Sequence, residues 1–193
     1  MHIIVGLQNP GKEYEDTRHN VGAIAVRAFC AQYGFPKLIS SASYVGELSE
    51  GVLDGNEVRI LLPTTFMNSS GTAVKKAMIG EPKGKLIVVY DDLDLPLGSF
   101  KISHGRGSGG HNGVESVILS VGSKDFIRVR IGISPVSFLG NIKKPSGERV
   151  SKFVLQKFSR RERAKLESLL PEISDALHTI VTKGKEVAMN DFN

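Results

Sequence analysis

The sequence predicts an α/β fold: a single three-layer domain over residues 1–193, with a mixed, mostly parallel central sheet flanked by helices. Three observations carry this. Short apolar runs that end in glycine or a polar cluster alternate with stretches of helical period. The chain has 193 residues, 40% of them hydrophobic and 23% charged, which suits one globular unit. No internal repeat and no linker-like segment divides it.

Residues 2–7, His-Ile-Ile-Val-Gly-Leu, read as a buried strand, because an apolar run this short bounded by glycine fits a covered sheet. Residues 8–19 hold Asn-Pro-Gly and many polar groups, so they read as a loop. Asn20 is placed to cap a helix over about 21–33, with Val21, Ile24, Ala25, Ala28 and Phe29 on one face. Gly34 and Pro36 end it. Residues 44–49 and 57–62 read as two strands joined through Asp54-Gly55, a hairpin signal. A helix follows over about 69–79, then a buried strand at 85–90. Pro96 and Gly98 mark a turn before a strand at 99–103. Residues 104–110 are glycine-rich, 112–121 fits a helix, and 127–133 alternates apolar and basic residues as a strand does. Residues 134–149 read as a Pro/Gly/Lys-rich loop. Ser159-Arg-Arg-Glu162 is a capping box opening a helix. Pro171 is expected to break or restart that helix, and Gly184 sits near its end.

Composition excludes several classes. Cys30 is the only cysteine, so there is no intrachain disulfide and no cysteine-rich zinc site; its mid-helix place reads as inert core. The N-terminus lacks the pattern of a signal peptide, and the longest apolar runs fall far short of the ~20 residues that span a bilayer. The expected compartment is the cytoplasm. Net charge is +5, and it is uneven: residues 143–165 hold nine basic and two acidic residues. A basic stretch about the C-terminal loop and helices (about 141–193) points to a polyanion, either nucleic acid or an anionic membrane surface.

Polar residues gather where the apolar strands end, which is where ligands bind in α/β sheets. The ends deliver Asn9, His19 and Asn20, Asn68, Asp91-Asp92-Leu-Asp94, and His111-Asn112. A histidine with a carboxylate and several amides, without a serine or cysteine in a nucleophile setting, points to water as the attacking group. Histidine suits general-base work because its ordinary pKa lies near about 6.5. Asparagine amides suit an oxyanion or a peptide backbone. Spacing leaves other readings open. Asn and Asp also end strands for turn reasons. His19, His111, Asp91 and Asp94 are metal ligands by type, but no paired-histidine spacing supports a site. Gly105-Arg-Gly107-Ser-Gly-Gly110 fits a dinucleotide fingerprint, yet it lies mid-chain and runs straight into His-Asn; a flexible loop at the cleft rim fits it better. His2 and His178 read as structural, His104 as a solvated loop residue, and Phe66 as core.

Six ordered segments carry a resemblance. They are Val5-Gly-Leu-Gln-Asn-Pro-Gly11, Thr17-Arg-His-Asn-Val-Gly22, Pro63-Thr-Thr-Phe-Met-Asn-Ser-Ser-Gly71, Asp91-Asp-Leu-Asp-Leu-Pro-Leu-Gly98, Gly109-Gly-His-Asn-Gly113 and Arg130-Ile-Gly-Ile133. Together they resemble the motifs of bacterial peptidyl-tRNA hydrolases. The resemblance implies a monomeric, metal-free esterase that needs no cofactor and no obligate protein partner. It would cleave the ester between a peptide and the 3′ end of tRNA and recycle tRNA from abandoned translation. His19 matches the general base and Asp91 its orienting partner. Asn9, Asn68 and Asn112 match the asparagines that position the peptidyl end and the attacking water. Tyr14 and Met67 match cleft-lining residues, and His111 a histidine of the peptide-side wall. The family clamps a tRNA phosphate with two basic residues. Arg128 stands at one clamp position; Ser99 stands at the other, with Lys101 two residues on. Arg106 is expected to compensate, and the basic stretch adds Lys143 and Lys144 as expected phosphate contacts. Two alternatives stand beside this: a metal-dependent peptidase or amidase of similar form using His19, Asp91 and His111, and a non-catalytic RNA-binding module. A third, membrane association through 143–165, follows from the charge alone.

Overall fold

Four strands run parallel through the middle of the sheet, and antiparallel strands close both edges. In this computed structural model, which describes residues 1–137 and 139–193, the strands are β1 (His2–Gly6), β2 (Ile39–Ser41), β3 (Gly46–Leu53), β4 (Asn56–Pro63), β5 (Leu86–Pro96), β6 (Phe100–His104) and β7 (Ile127–Ser134). Their order is β2-β3-β4-β1-β5-β7-β6. Strands β4, β1, β5 and β7 are mutually parallel; the β2-β3 and β3-β4 pairs and the β6-β7 pair are antiparallel. Phe138, within the expected loop 134–149, lies outside the described residues.

Helices cover both faces: α1 (Val21–Gln32), α2 (Ser70–Ala77), α3 (Asn112–Val121), α4 (Arg149–Val154), α5 (Arg160–Lys183) and α6 (Lys185–Phe192). One core lies between the sheet and α1, α5 and α6, around Ile4, Val26, Phe29, Ile87, Val89, Ile173 and Leu177. The other lies under α2 and α3, around Ile3, Val5, Leu61, Val88, Val74 and Val117. Successive residues of one strand feed opposite cores, so the central strands read as unbroken apolar runs. Burying each such side chain contributes about 1.5–3 kcal/mol.

The hairpin forms as expected: Asp54 and Gly55 turn with φ of 46° and 79°, as a tight hairpin turn requires, and pair β3 with β4. Cys30 is buried, and burial pushes its thiol up to about 11, which leaves it inert. Pro171 does not break the helix. It sits inside a continuous α5, whose Leu166, Leu169, Ile173, Leu177 and Ile180 are buried. Burial of that face outweighs the roughly 3 kcal/mol that an interior proline costs. Three elements lack a sequence signal. β2 is three residues long, α4 falls at the end of the expected loop, and α6 restarts directly after Gly184.

Candidate active site

A cleft of about 1270 Å³ opens beside the ends of β1 and β4 and runs across β5 and β7. Its floor follows from strand alternation. Along β7, Ile127, Val129, Ile131 and Ile133 enter the α1-side core, so Arg128 and Arg130 fall on the other face and line the cleft.

The first wall is built on Asn9. The Asn20 side chain grips the Asn9 main chain both ways: the Asn9 N–H donates to Asn20 Oδ1 at 2.8 Å, and Asn20 Nδ2 donates to the Asn9 carbonyl at 2.9 Å. Asn20 therefore does not cap α1 with its side chain, contrary to expectation; clipping the β1 loop employs both its amide atoms. Asn9 Oδ1 accepts the Met67 N–H at 2.8 Å, which leaves the Asn9 Nδ2 group for a ligand. Met67 is buried, while Asn68 beside it is exposed in the cleft. Tyr14 is half-buried at the rim. Phe66 is not core: it is 60% exposed and lines the cleft. The turn from Pro63 to Met67 puts Met67, not Phe66, under α3.

His19 lies in a short 3₁₀ turn, Arg18–Asn20, that runs into α1. Gly22 lets that helix approach β5, because a Cβ there would run into the Val89 carbonyl. The approach brings His19 Nδ1 to 2.8 Å from Asp91 Oδ1. His111 Nε2 meets the same oxygen at 2.9 Å. The two rings lie 4.8 Å apart.

The hydrogen bonds set the tautomers. His111 Nδ1 accepts the Gly113 and Val114 N–H groups at 3.1 and 3.2 Å, capping α3, so its proton sits on Nε2 and is donated to Asp91. His19 likewise donates Nδ1–H to the carboxylate and leaves Nε2 bare. Burial favours the neutral acid at Asp91, but the His19 and His111 partners outweigh it and hold the carboxyl well below the usual carboxylate range. Burial pulls His19 down, and the Asp91 charge and hydrogen bond more than reverse this, so its pKa lies above the ordinary 6.5.

Among the described residues, His19, Asp91 and His111 are the group whose donor atoms converge tightly enough to suggest a metal, all within 4.8 Å. Here the three groups are engaged with one another, both ring nitrogens bonding one oxygen of Asp91. Asp94 lies away from this group, paired with Lys144 at 2.5 Å.

The expected phosphate contacts separate. Arg128 does not present a free cation. Its side chain is 1% exposed, lies over Phe126, and donates to the carbonyls of Arg106 and Gly107. It pins the glycine-rich loop, because β7 places its long side chain beneath that loop. Arg106 and Lys144 line the cleft. Lys101 and Lys143 are exposed outside the lining. Arg130, absent from the expected contacts, lines the cleft and pairs with Asp92 at 2.7 Å; its alternation with Arg128 along β7 was the available signal. Asn112 is exposed at the first turn of α3, in the lining. His104 is no loop residue: it ends β6 and meets Asp125 at 2.8 Å. His2 bonds Lys85, and His178 bonds Asp54, both away from the cleft.

A histidine held by a buried carboxylate at the strand ends, with its second nitrogen free and no serine or cysteine bonded to it among the described residues, is an arrangement able to activate water. The peptidyl-tRNA hydrolase family matches residues 3–193, and the chain belongs to it. The peptidyl-tRNA hydrolase of Thermodesulfovibrio yellowstonii is 41% identical over 197 residues, covering 100% of this chain and 99% of that one. That of Syntrophotalea carbinolica is 39% identical over 198 residues, covering 100% and 97%. The crystal structure of peptidyl-tRNA hydrolase from Acinetobacter baumannii superposes with a TM-score of 0.88 at 33% identity, covering 98% of this chain and 93% of that one.

Proposed function

We propose that this chain hydrolyses the ester between a peptidyl, or N-blocked aminoacyl, group and the 3′ end of tRNA, with His19 as general base. The observation that carries the role of His19 is its Nδ1–H bond to the buried Asp91 carboxylate, which leaves Nε2 bare toward the cleft. His19 Nε2 takes a proton from water, and the hydroxide attacks the ester carbonyl. Asp91 keeps the ring in the right tautomer and stabilises the imidazolium that forms. The Nδ2 of Asn9 and the side chains of Asn68 and Asn112 supply hydrogen bonds to the peptide backbone and the developing oxyanion. Amides pair with peptide N–H and C=O groups without reading side chains, which suits a substrate of any sequence.

The tRNA portion is held by charge. Arg106, Arg130 and Lys144 stand in the cleft lining, and Lys143, Arg160 and Arg161 are exposed beyond it. No described helix is long and apolar enough to cross a membrane. We infer from the family motifs that the enzyme works as a cytoplasmic monomer.

The test compares hydrolysis of N-acyl-aminoacyl-tRNA and free aminoacyl-tRNA by the wild type and by His19→Ala. Turnover of the acylated form alone, lost in His19→Ala, is the expected result. Equal turnover of both substrates, or a variant within threefold of wild type, overturns the reading.

A further inference from the structure

Arg18 precedes His19 in sequence, yet its guanidinium bonds only to a distant segment. Nη1 donates to the carbonyls of Gln156 and Lys157 at 3.2 and 3.1 Å. Nη2 donates to both carboxylate oxygens of Glu162 at 2.9 and 3.0 Å. The guanidinium carbon stands 4.5 Å from the Phe153 ring centre and 5.5 Å from that of Phe158. The main chain makes the same connection. The Arg18 N–H donates to Gln156, the Phe158 N–H donates to Asp16, and Thr17 bridges Lys157. Glu162 is itself fixed, accepting the Ser159 N–H while the Ser159 hydroxyl caps its own N–H.

The clamped junction lies between α4 and α5. Helix α4 has only six residues, and its Val150, Ser151 and Val154, with Leu155 after them, form one wall of the cleft. The segment before it, 139–148, is almost wholly exposed. The carboxyl end of α4 is therefore where this wall is tied down, and the tie ends one residue from His19.

We propose that Arg18 is a positioning residue, which through this one clamp sets the His19 turn against Asp91 and the α4 wall against the reacting centre. This rests on the hydrolytic reading of the cleft. A buried guanidinium suits the task because its planar fork bonds two carbonyls and a carboxylate at once while its faces pack on aromatic rings. Lysine keeps the charge but is a point donor with no face to stack. A displacement of about 1 Å at a reacting group costs up to about 10²-fold in rate.

The experiment uses Arg18→Lys, with Glu162→Gln as the second variant should the first fail to fold. Glutamine still serves the capping box, so α5 should begin as before. Two readouts are taken on folded protein. One is the kcat and KM for N-acyl-aminoacyl-tRNA. The other is the midpoint of the His19 ring titration by NMR, which does not depend on turnover. His19 faces Asp91 from β5 and His111 from α3, and neither is changed by Arg18→Lys, so net charge is constant. The expected result is a kcat lower by about 10- to 100-fold, with KM changed less, and a His19 midpoint displaced downward as its bond to Asp91 loosens. A lower melting temperature with kcat and the His19 midpoint both unchanged overturns the proposal and leaves Arg18 a purely structural tie. If the wild type itself fails to turn over the substrate, the functional reading falls, and the His19 midpoint alone then decides the role of Arg18.

Discussion

The centre at Asp91 and the basic stretch at 143–165 are both rich in charge, and the structure treats them in opposite ways. Asp91 sits on a central parallel strand, is fully enclosed, and receives both histidines on one oxygen. Each histidine is fixed by its own element, His19 by the turn into α1 and His111 by its cap on α3. In the basic stretch, Lys143, Lys152, Arg160 and Arg161 are exposed and make no side-chain hydrogen bond or ion pair among the described residues. Enclosure strengthens every electrostatic interaction and fixes protons, as chemistry requires. Exposure leaves charges screened but available, as reversible binding of a polyanion requires. Chemistry should therefore break at the first region and affinity at the second.

The largest effect is expected at His19. Removing a general base costs about 10²–10⁴-fold in rate, so His19→Ala should lose that much kcat with KM little changed. Steady-state kinetics on N-acyl-aminoacyl-tRNA would show this, and a large KM change at constant kcat would erase the division between the regions.

Asp91→Asn comes next. An amide no longer stabilises the imidazolium and admits the wrong tautomer, so kcat should fall by at least about tenfold. The pH profile sharpens this. As the proposed base, His19 must be unprotonated at Nε2, and Asp91 raises its pKa above 6.5, so the rate should climb through an inflection above 6.5 as pH rises. Without the carboxylate, burial alone acts on His19, and the inflection should move to lower pH. An inflection that stays in place would sever the pair. The stability sign is the reverse. A raised His19 pKa stabilises the fold below 6.5, and that contribution is lost as pH climbs through the folded value.

Replacing Lys143, Lys144, Arg160 and Arg161 together by alanine should raise KM about tenfold and spare kcat. The slope of log KM against log salt should flatten by roughly 0.7–0.9 for each phosphate that the protein no longer neutralises. An unchanged slope would show this face to be an ordinary solvated surface. The smallest effect is on stability at Asn68. Its side chain is exposed in the cleft, so Asn68→Ala should shift unfolding by less than about 0.5 kcal/mol while slowing turnover. A melting-temperature drop as large as that of a core truncation would make it a structural residue.

Much of this was legible from local pattern. The apolar runs of β1, β4 and β5, the Asp54-Gly55 turn and the Ser159–Glu162 box are each written in a few neighbouring residues. The convergence of Asn9, Asn68, Asp91 and His111 followed from their common place at strand ends. Errors fell where a distant segment decided. Phe66 is apolar by type, yet the turn before α2 leaves it in solvent. Arg128 stood at a clamp position of the family, and only the folded glycine-rich loop shows its guanidinium donating to the Arg106 and Gly107 carbonyls. Asn20 had the composition of a cap, but its amide matched the Asn9 main chain better.

By itself, then, the amino-acid sequence determined the layered α/β class, the strand ends as the place for a site, and the residue types able to activate water. Periodicity and turn chemistry act over a few residues, so they survive in one dimension. Only the tertiary structure decided which nitrogen of each histidine carries the proton, which arginines are enclosed, and that Arg18 ties His19 to a junction over 130 residues away. Those outcomes depend on long-range hydrogen bonds and burial, which exist only once separate elements have packed against one another.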